Sequence, residues 1–201
     1  MDKVEILDLE RDYLVCVKPV GMDSEAGLPA ALKALVGGDI YPVHRLDQKV
    51  GGVMVFARTK NAAGLLSRAV QEGAMVKEYR AMVHGTPPEE GIWEDLLWKD
   101  TRQNKVFVVQ RMRKGVRDAK LSFTRLTAGD PALVHVRLYT GRSHQIRVQF
   151  ASRGFPLVGD HRYGARDDAS APLLCSCRIT FPWKGQVKTY ESYPEWGCPT
   201  P

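Results

Sequence analysis

Leu173-Leu174-Cys175-Ser176-Cys177-Arg178-Ile179-Thr180-Phe181 is the stretch that sets the fold class. Positions 173, 175, 177, 179 and 181 are apolar, whereas 176, 178 and 180 are polar. A period of two sends successive side chains to opposite faces, so this is a strand with one face inward. Cys175 and Cys177 then lie in the core as small hydrophobes. Other segments read the same way. Tyr13–Val17 is an apolar strand closed by Lys18-Pro19 and Gly21, and Val53–Ala57 is a continuous apolar run. In Glu78–His84, Tyr79, Ala81 and Val83 share the core-facing side, opposite Arg80, Met82 and His84. Leu133–Tyr139 turns Val134, Val136 and Leu138 inward, and Val106-Phe107-Val108-Val109 suits a hairpin strand. Helical spacing is confined to three places. These are Pro29–Val36, Asn61–Glu72 (stopped by Gly73), and a helix capped by Ser143 that runs to Gly154. Gly85–Gly91, with its two prolines, reads as a loop. Many short strands with few helices between them predict an α+β fold. We expect a single domain over residues 1–193 on a mixed, mostly antiparallel sheet flanked by helices and loops, and a frayed tail at 194–201.

The 201 residues carry 44% hydrophobic and 26% charged side chains, an ordinary globular composition. The apolar runs fall far short of the roughly 20 residues of a membrane span. Met1-Asp2-Lys3-Val4-Glu5 lacks the basic-then-apolar pattern of a signal peptide. A disulfide scaffold would be shorter and denser in cysteine than a chain with Cys16, Cys175, Cys177 and Cys198, and no pair of C-x-x-C motifs suits zinc. These readings lead us to expect a cytoplasmic protein with no membrane partner and no metal. Without heptads, a monomer is the default expectation. Net charge is +6, but residues 101–125 hold eight cations and one anion, so the other 176 residues sum to −1. Such a basic segment, with Arg111, Arg113 and Lys114 at its centre, is either a polyanion-binding surface or a solvated hairpin.

His44-Arg45-Leu46-Asp47 precedes the apolar run at Val53, and Thr140-Gly141-Arg142-Ser143-His144-Gln145-Ile146-Arg147 lies about a hundred residues on. Asp47 at a strand entry suits a catalytic carboxylate, and a surface pair with Arg45 is the plainer reading. Arg142 and Arg147 are five apart and point to different faces, so one can meet a phosphate while the other faces the core. Tyr79 either packs in the core or abuts a planar ligand. His44, His84, His135, His144 and His161 have no metal-ligand spacing. There is no P-loop, no G-x-G-x-x-G after a strand and no G-x-S-x-G, so nucleotide cofactors are not expected. A glycosidase would need a second acid near Asp47, and Gln48–Gln71 contains none.

Four segments in order together resemble the RluA-type RNA pseudouridine synthases. They are Lys18-Pro19-Val20-Gly21; His44-Arg45-Leu46-Asp47 with Gly52-Val53-Met54-Val55; Lys77-Glu78-Tyr79-Arg80-Ala81; and Gly141–Arg147 with Gly159-Asp160 and Tyr163-Gly164. The resemblance implies a pseudouridine synthase-like fold and a cofactor-free isomerase acting on uridine in folded rRNA or tRNA. It implies that Asp47 is the catalytic carboxylate, that Tyr79 lines the uracil near C5, and that Arg147 pairs with Asp47. It assigns Arg45 to the gap left by a flipped base, a step that chemistry on a stacked base demands. Attack on the sugar, addition to the base and assisted elimination all remain open to Asp47. One departure stands out. Val50-Gly51 replace a usual Thr-Ser, which removes hydroxyls beside the Asp47 loop. That departure supports the alternative, a catalytically inactive RNA-binding protein with the same fold. With no stretch left for a separate RNA-binding domain, grip on RNA is expected from the basic segment and from Arg142.

Overall fold

The structure, a computed structural model, describes residues 4–197. Its strands and helices, in chain order, are β1 (Glu5–Leu9), β2 (Tyr13–Lys18), α1 (Gly27–Val36), β3 (Tyr41–Pro42), β4 (Gly51–Ala57), α2 (Lys60–Gln71), β5 (Val76–Val83), β6 (Glu90–Asp100), β7 (Lys105–Val109), β8 (Val116–Arg125), β9 (Ala132–Leu138), α3 (Gln145–Ala151), β10 (Leu174–Trp183) and β11 (Gln186–Glu191). The class is α+β, as the strand-rich pattern predicts. The described residues fall into two compact units, one of 4–77 with 175–194 and one of 78–174 with 195–197.

In the first unit the strand order is β1-β2-β4-β10, with β3 beside β4 and β11 beside β10. The β4–β10 pair is parallel, with Cys175 opposite Gly51 and Ser176 opposite Gly52. β4 has neighbours on both sides, and all seven of its residues are buried. That is why it reads as an unbroken apolar run rather than an alternation. α2 lays Ala62, Leu66 and Ala69 onto Tyr13, Val15, Val53 and Val55. Thr59 caps it, its hydroxyl accepting from the Ala62 amide at 3.2 Å. Cys175 and Cys177 are buried, as the alternation requires, Cys16 of β2 is buried as well, and burial pushes the Cys175 thiol up to about 12. Cys198 lies outside the described residues.

The second unit orders its strands β5-β9-β8-β6-β7. On its inner face Val148 of α3 packs with Leu97, Val106 and Ala119. Phe150 meets the Trp93 and Phe123 rings edge-on at 4.6 and 5.3 Å. β6, at 11 residues, is a strand that alternation alone does not announce. Its burial alternates over Glu90–Asp95, but an apolar Ile92 on the exposed side and a charged Asp95 on the half-buried side hide that period in the sequence.

Two expectations are corrected. Ser143 does not cap α3. The N-cap is His144, in the left-handed region at φ 50°, with no side-chain cap bond. Gln145 instead ties the preceding turn to the helix start: its Oε1 accepts from the Thr140 hydroxyl at 2.8 Å and the Arg142 amide at 3.0 Å. At the far end, Phe155 donates to the Phe150 carbonyl around Gly154 (φ +85°), a Schellman closure. The expected frayed tail also differs, because Glu195–Gly197 form a 3-10 turn. Residues 198–201 of that tail lie outside the described residues.

Candidate active site

Asp47 lies in the loop between β3 and β4, half-buried. Three local devices fix this loop. Ser24 donates to the Leu46 carbonyl at 2.8 Å and accepts from the Leu46 amide at 3.2 Å. The Asp47 carbonyl accepts from Val50 N–H at 2.9 Å and closes a turn. Lys18, only 1% exposed, sends its ammonium to the carbonyls of Pro19, Met22 and Gln48 at 2.9, 2.7 and 3.0 Å. Burial drives the Lys18 amine down to about 8, while Asp23 and Asp47 act to hold its charge. Lys18 thus ties the Lys18-Pro19-Val20-Gly21 turn to the peptide after Asp47. Gly21, at φ +90°, completes the tie by donating to the Gln48 carbonyl at 2.8 Å. Sequence reasoning gave Lys18 no role. The available signal is a lysine that ends an otherwise apolar strand just before a proline.

His44 sits on the same loop, and its Nε2 accepts from the Val55 amide at 3.1 Å. A neutral imidazole that accepts at Nε2 carries its proton on Nδ1, and Nδ1 is buried with no hydrogen-bond partner. Burial, then the nearby Lys77 charge, push His44 down to about 3, so it is neutral at pH 7. Arg45 points outward and pairs with Glu25 at 2.6 Å, with side chains 60% and 50% exposed. So exposed a pair contributes little stability and yields readily to a phosphate.

The Val50-Gly51 departure has a packing reason. Val50 is buried in the core, and a Cβ on Gly51 would stand 3.1 Å from the Lys18 carbonyl. At Gly52 the demand is absolute, since φ is +117° and a Cβ would lie 2.2 Å from the Ser176 carbonyl. Ser176 donates in turn to the Val53 carbonyl at 3.0 Å.

Tyr79 and Arg147 belong to the second unit. Tyr79 is 5% exposed on the β5 face it shares with Ala81 and Val83, as the alternation predicts. Arg147 is 6% exposed, and its Nε and Nη2 donate to the two Asp160 oxygens at 2.6 and 2.8 Å. Asp160 is the carboxylate that its own unit supplies, and it uses one edge of the guanidinium fork. The Arg147 Cζ stands 5.1 Å from the Tyr163 ring centroid. The Tyr163 hydroxyl accepts from Val106 N–H at 2.8 Å and bonds His144 Nδ1 at 2.8 Å. Gly159 precedes Asp160 at φ +78°, where a Cβ would collide with the Ala171 carbonyl at 2.0 Å. Its amide donates to Asp167, which also bonds His84 at 2.7 Å. Asp160 and Tyr163 fall in the quoted Gly159–Gly164 motif, but nothing in their spacing says that they frame Arg147.

Arg142 is anchored to β8, donating to the Asp118 carbonyl at 2.7 Å and carboxylate at 3.1 Å. Arg111, Arg113 and Lys114 are all exposed on the turn between β7 and β8.

A buried lysine pins the acid-bearing loop and an aspartate locks a buried arginine, and all of these residues fall within or beside the motifs quoted above. The comparisons with known proteins agree. The sequence profile described as RNA pseudouridylate synthase matches residues 12–152. The dual-specificity RNA pseudouridine synthase RluA of Salmonella typhimurium is 33% identical over 92% of this chain and 91% of its own length. An uncharacterized RNA pseudouridine synthase of Chloroflexus aurantiacus is 40% identical over 65% of this chain and 42% of its own. The chain spans less than half the length of that relative and of the Aquifex aeolicus one, which is 34% identical. Among solved structures, human RNA pseudouridylate synthase domain containing 1 superposes with a TM-score of 0.84 at 23% identity, over 96% of this chain and 84% of that one. The motifs, the packing that explains them and these likenesses place the chain in the RluA-type family of RNA pseudouridine synthases.

Proposed function

We propose that this chain isomerises uridine to pseudouridine in structured RNA, either rRNA or tRNA, with residues 1–193 as the catalytic domain. The N1–C1′ bond breaks, the base turns, a C5–C1′ bond forms, and the C5 proton leaves while N1 gains one. Asp47 is the catalytic carboxylate, Tyr79 lines the uracil near C5, and Arg147 is the third catalytic residue, the cation that the family resemblance assigns to Asp47. Arg45 fills the space left by the flipped base, and Arg142, Arg111, Arg113 and Lys114 meet phosphates. No cofactor enters the reaction, and the protein works as a cytoplasmic monomer.

The observation that carries this reading is the anchored H-R-L-D loop. Asp47 is half-buried, acts electrostatically on the buried Lys18 ammonium, and has the peptides on both sides of it pinned by hydrogen bonds. Such a group is positioned before substrate arrives, which is what catalysis by orientation requires. The test is tritium release from RNA carrying [5-³H]uridine. Asp47→Asn is expected to abolish release while RNA binding persists. Release at the wild-type rate would remove Asp47 from the reaction. Release by neither protein on any rRNA or tRNA would favour the inactive RNA-binding alternative.

A further inference from the structure

The outer face of the β6–β7 hairpin carries side chains that the proposed chemistry does not use. Leu96 lies opposite Val109, and Trp98 opposite Phe107. Residues directly opposed in a ladder share a face. Leu97 and Val106, on the other face, are buried against Val148 of α3. Leu96, Trp98, Phe107 and Val109 therefore point away from α3, and all four are only half-buried. β7 ends the strand order of its unit, so the hairpin is an edge.

The Trp98 and Phe107 rings stand 6.1 Å apart with planes 30° apart. Cationic side chains lie against them: Arg113 Cζ is 5.3 Å from the Trp98 centroid, and Lys105 Nζ is 5.6 Å from that of Phe107. Arg113 is exposed, whereas Lys105 is half-buried and also stands 5.6 Å from the Tyr163 centroid. Cation–π contacts of this kind are weak enough to yield to a phosphate. The segment around them, residues 101–125, carries +7. Two adjacent, mutually tilted aromatic rings inside a strongly positive field offer faces on which single-stranded nucleic acid stacks its bases. Any base stacks on a ring, and the cations take the phosphates. A protein partner with an acidic surface would need no planar platform.

We propose that Trp98 and Phe107 form a stacking platform for an unpaired base of the RNA, with Arg113 and Lys105 transferred to flanking phosphates. The inference rests on the proposed function only in taking RNA as the partner. It makes the hairpin selective for looped or single-stranded RNA over continuous duplex, whose bases are already stacked.

The test uses the full chain with a short mixed-sequence single-stranded RNA containing 2-aminopurine, and with the duplex of the same sequence. The double variant Trp98→Ala/Phe107→Ala is expected to lose on the order of tenfold in single-strand affinity. Its duplex affinity and the salt dependence of binding should match wild type, because no charge is removed. Quenching of 2-aminopurine on binding should vanish, and Trp98→Phe should retain most of the affinity. Melting curves check that the variants fold. Unchanged single-strand affinity, or an equal loss for both RNAs, overturns the platform. So does a change of oligomeric state in the double variant, which would make this face a self-association surface. Tritium release separates the two proposals. Release by wild type with binding indifferent to the aromatic pair sinks the platform alone. Aromatic-dependent binding without release sinks the isomerase reading alone.

Discussion

The Lys18 ammonium donates to the Gln48 carbonyl at 3.0 Å, one residue beyond Asp47. One buried side chain thereby couples the end of β2 to the acid-bearing loop, and the Pro19 and Met22 carbonyls saturate it. Lys18→Met keeps the stem and removes the donor, leaving three carbonyls without it. We expect a loss of about 1–3 kcal/mol in urea denaturation. Tritium release should fall on the order of tenfold with RNA affinity kept, because the loop is displaced rather than removed. Full turnover in a folded Lys18→Met protein would show that the tie does not position Asp47.

His44 gives a pH dependence with a defined sign. Its folded value is about 3 against an ordinary 6.5, because burial and Lys77 disfavour the cation. Above pH 6.5 both folded and unfolded chains hold it neutral, so it adds no slope. As pH falls from 6.5 toward 3, the unfolded chain takes up a proton that the folded chain refuses. Stability is therefore lost at roughly 1.4 kcal/mol per pH unit from this group. His44→Gln can keep an acceptor for Val55 N–H and cannot titrate. Its stability should decline less steeply than wild type between pH 6.5 and 4. Parallel acid limbs for the two proteins would refute the assignment.

Breaking the Arg147–Asp160 pair should be costly. Both side chains are almost wholly buried, at 7% and 1% exposed. Asp160→Asn leaves the guanidinium facing a neutral amide, and we expect a loss of about 3–5 kcal/mol by chemical denaturation. Adding Arg147→Met should restore part of that loss, since the buried charge that lacks its Asp160 partner then disappears. A loss below about 1 kcal/mol for Asp160→Asn would mean that the pair is not a structural element.

Gly52→Ala tests the β4–β10 contact. The new methyl meets the Ser176 carbonyl at 2.2 Å, on a residue with φ +117°. Relief requires β10 to move, so the variant should be destabilised by more than about 3 kcal/mol or fail to accumulate as soluble protein. A melting temperature equal to wild type would contradict the described pairing. Gly64→Ala, where nothing lies within 4 Å of the added carbon, is the matched control.

The basic turn makes an electrostatic prediction. Replacing Arg111, Arg113 and Lys114 by Gln removes three exposed charges. RNA affinity should fall, and the slope of log affinity against log salt should flatten by about 2–3. An unchanged slope would return this turn to the solvated surface.

Reading the chain alone was enough wherever a physical rule acts over a few residues. The alternation of Leu173–Phe181 and Glu78–His84 announced two strands and put Cys175, Cys177 and Tyr79 in the core, because a pleat has period two. The stripe of Ala62, Leu65, Leu66, Ala69 and Val70 announced α2 for the same local reason, although Leu65 stays 43% exposed. The four motifs, in their order, identified the family. What remained hidden depends on which distant atoms meet. Lys18 looks like a surface cation until the fold wraps three carbonyls around it. Ser143 has the right chemistry for a helix cap, but the helix starts one residue later, after a left-handed His144. Asp160 is one of 23 acids, and only tertiary structure selects it for Arg147 thirteen residues away. Backbone propensity and side-chain period are properties of short segments, whereas the stabilisation of a buried charge comes from its surroundings, and those exist only once the chain is folded.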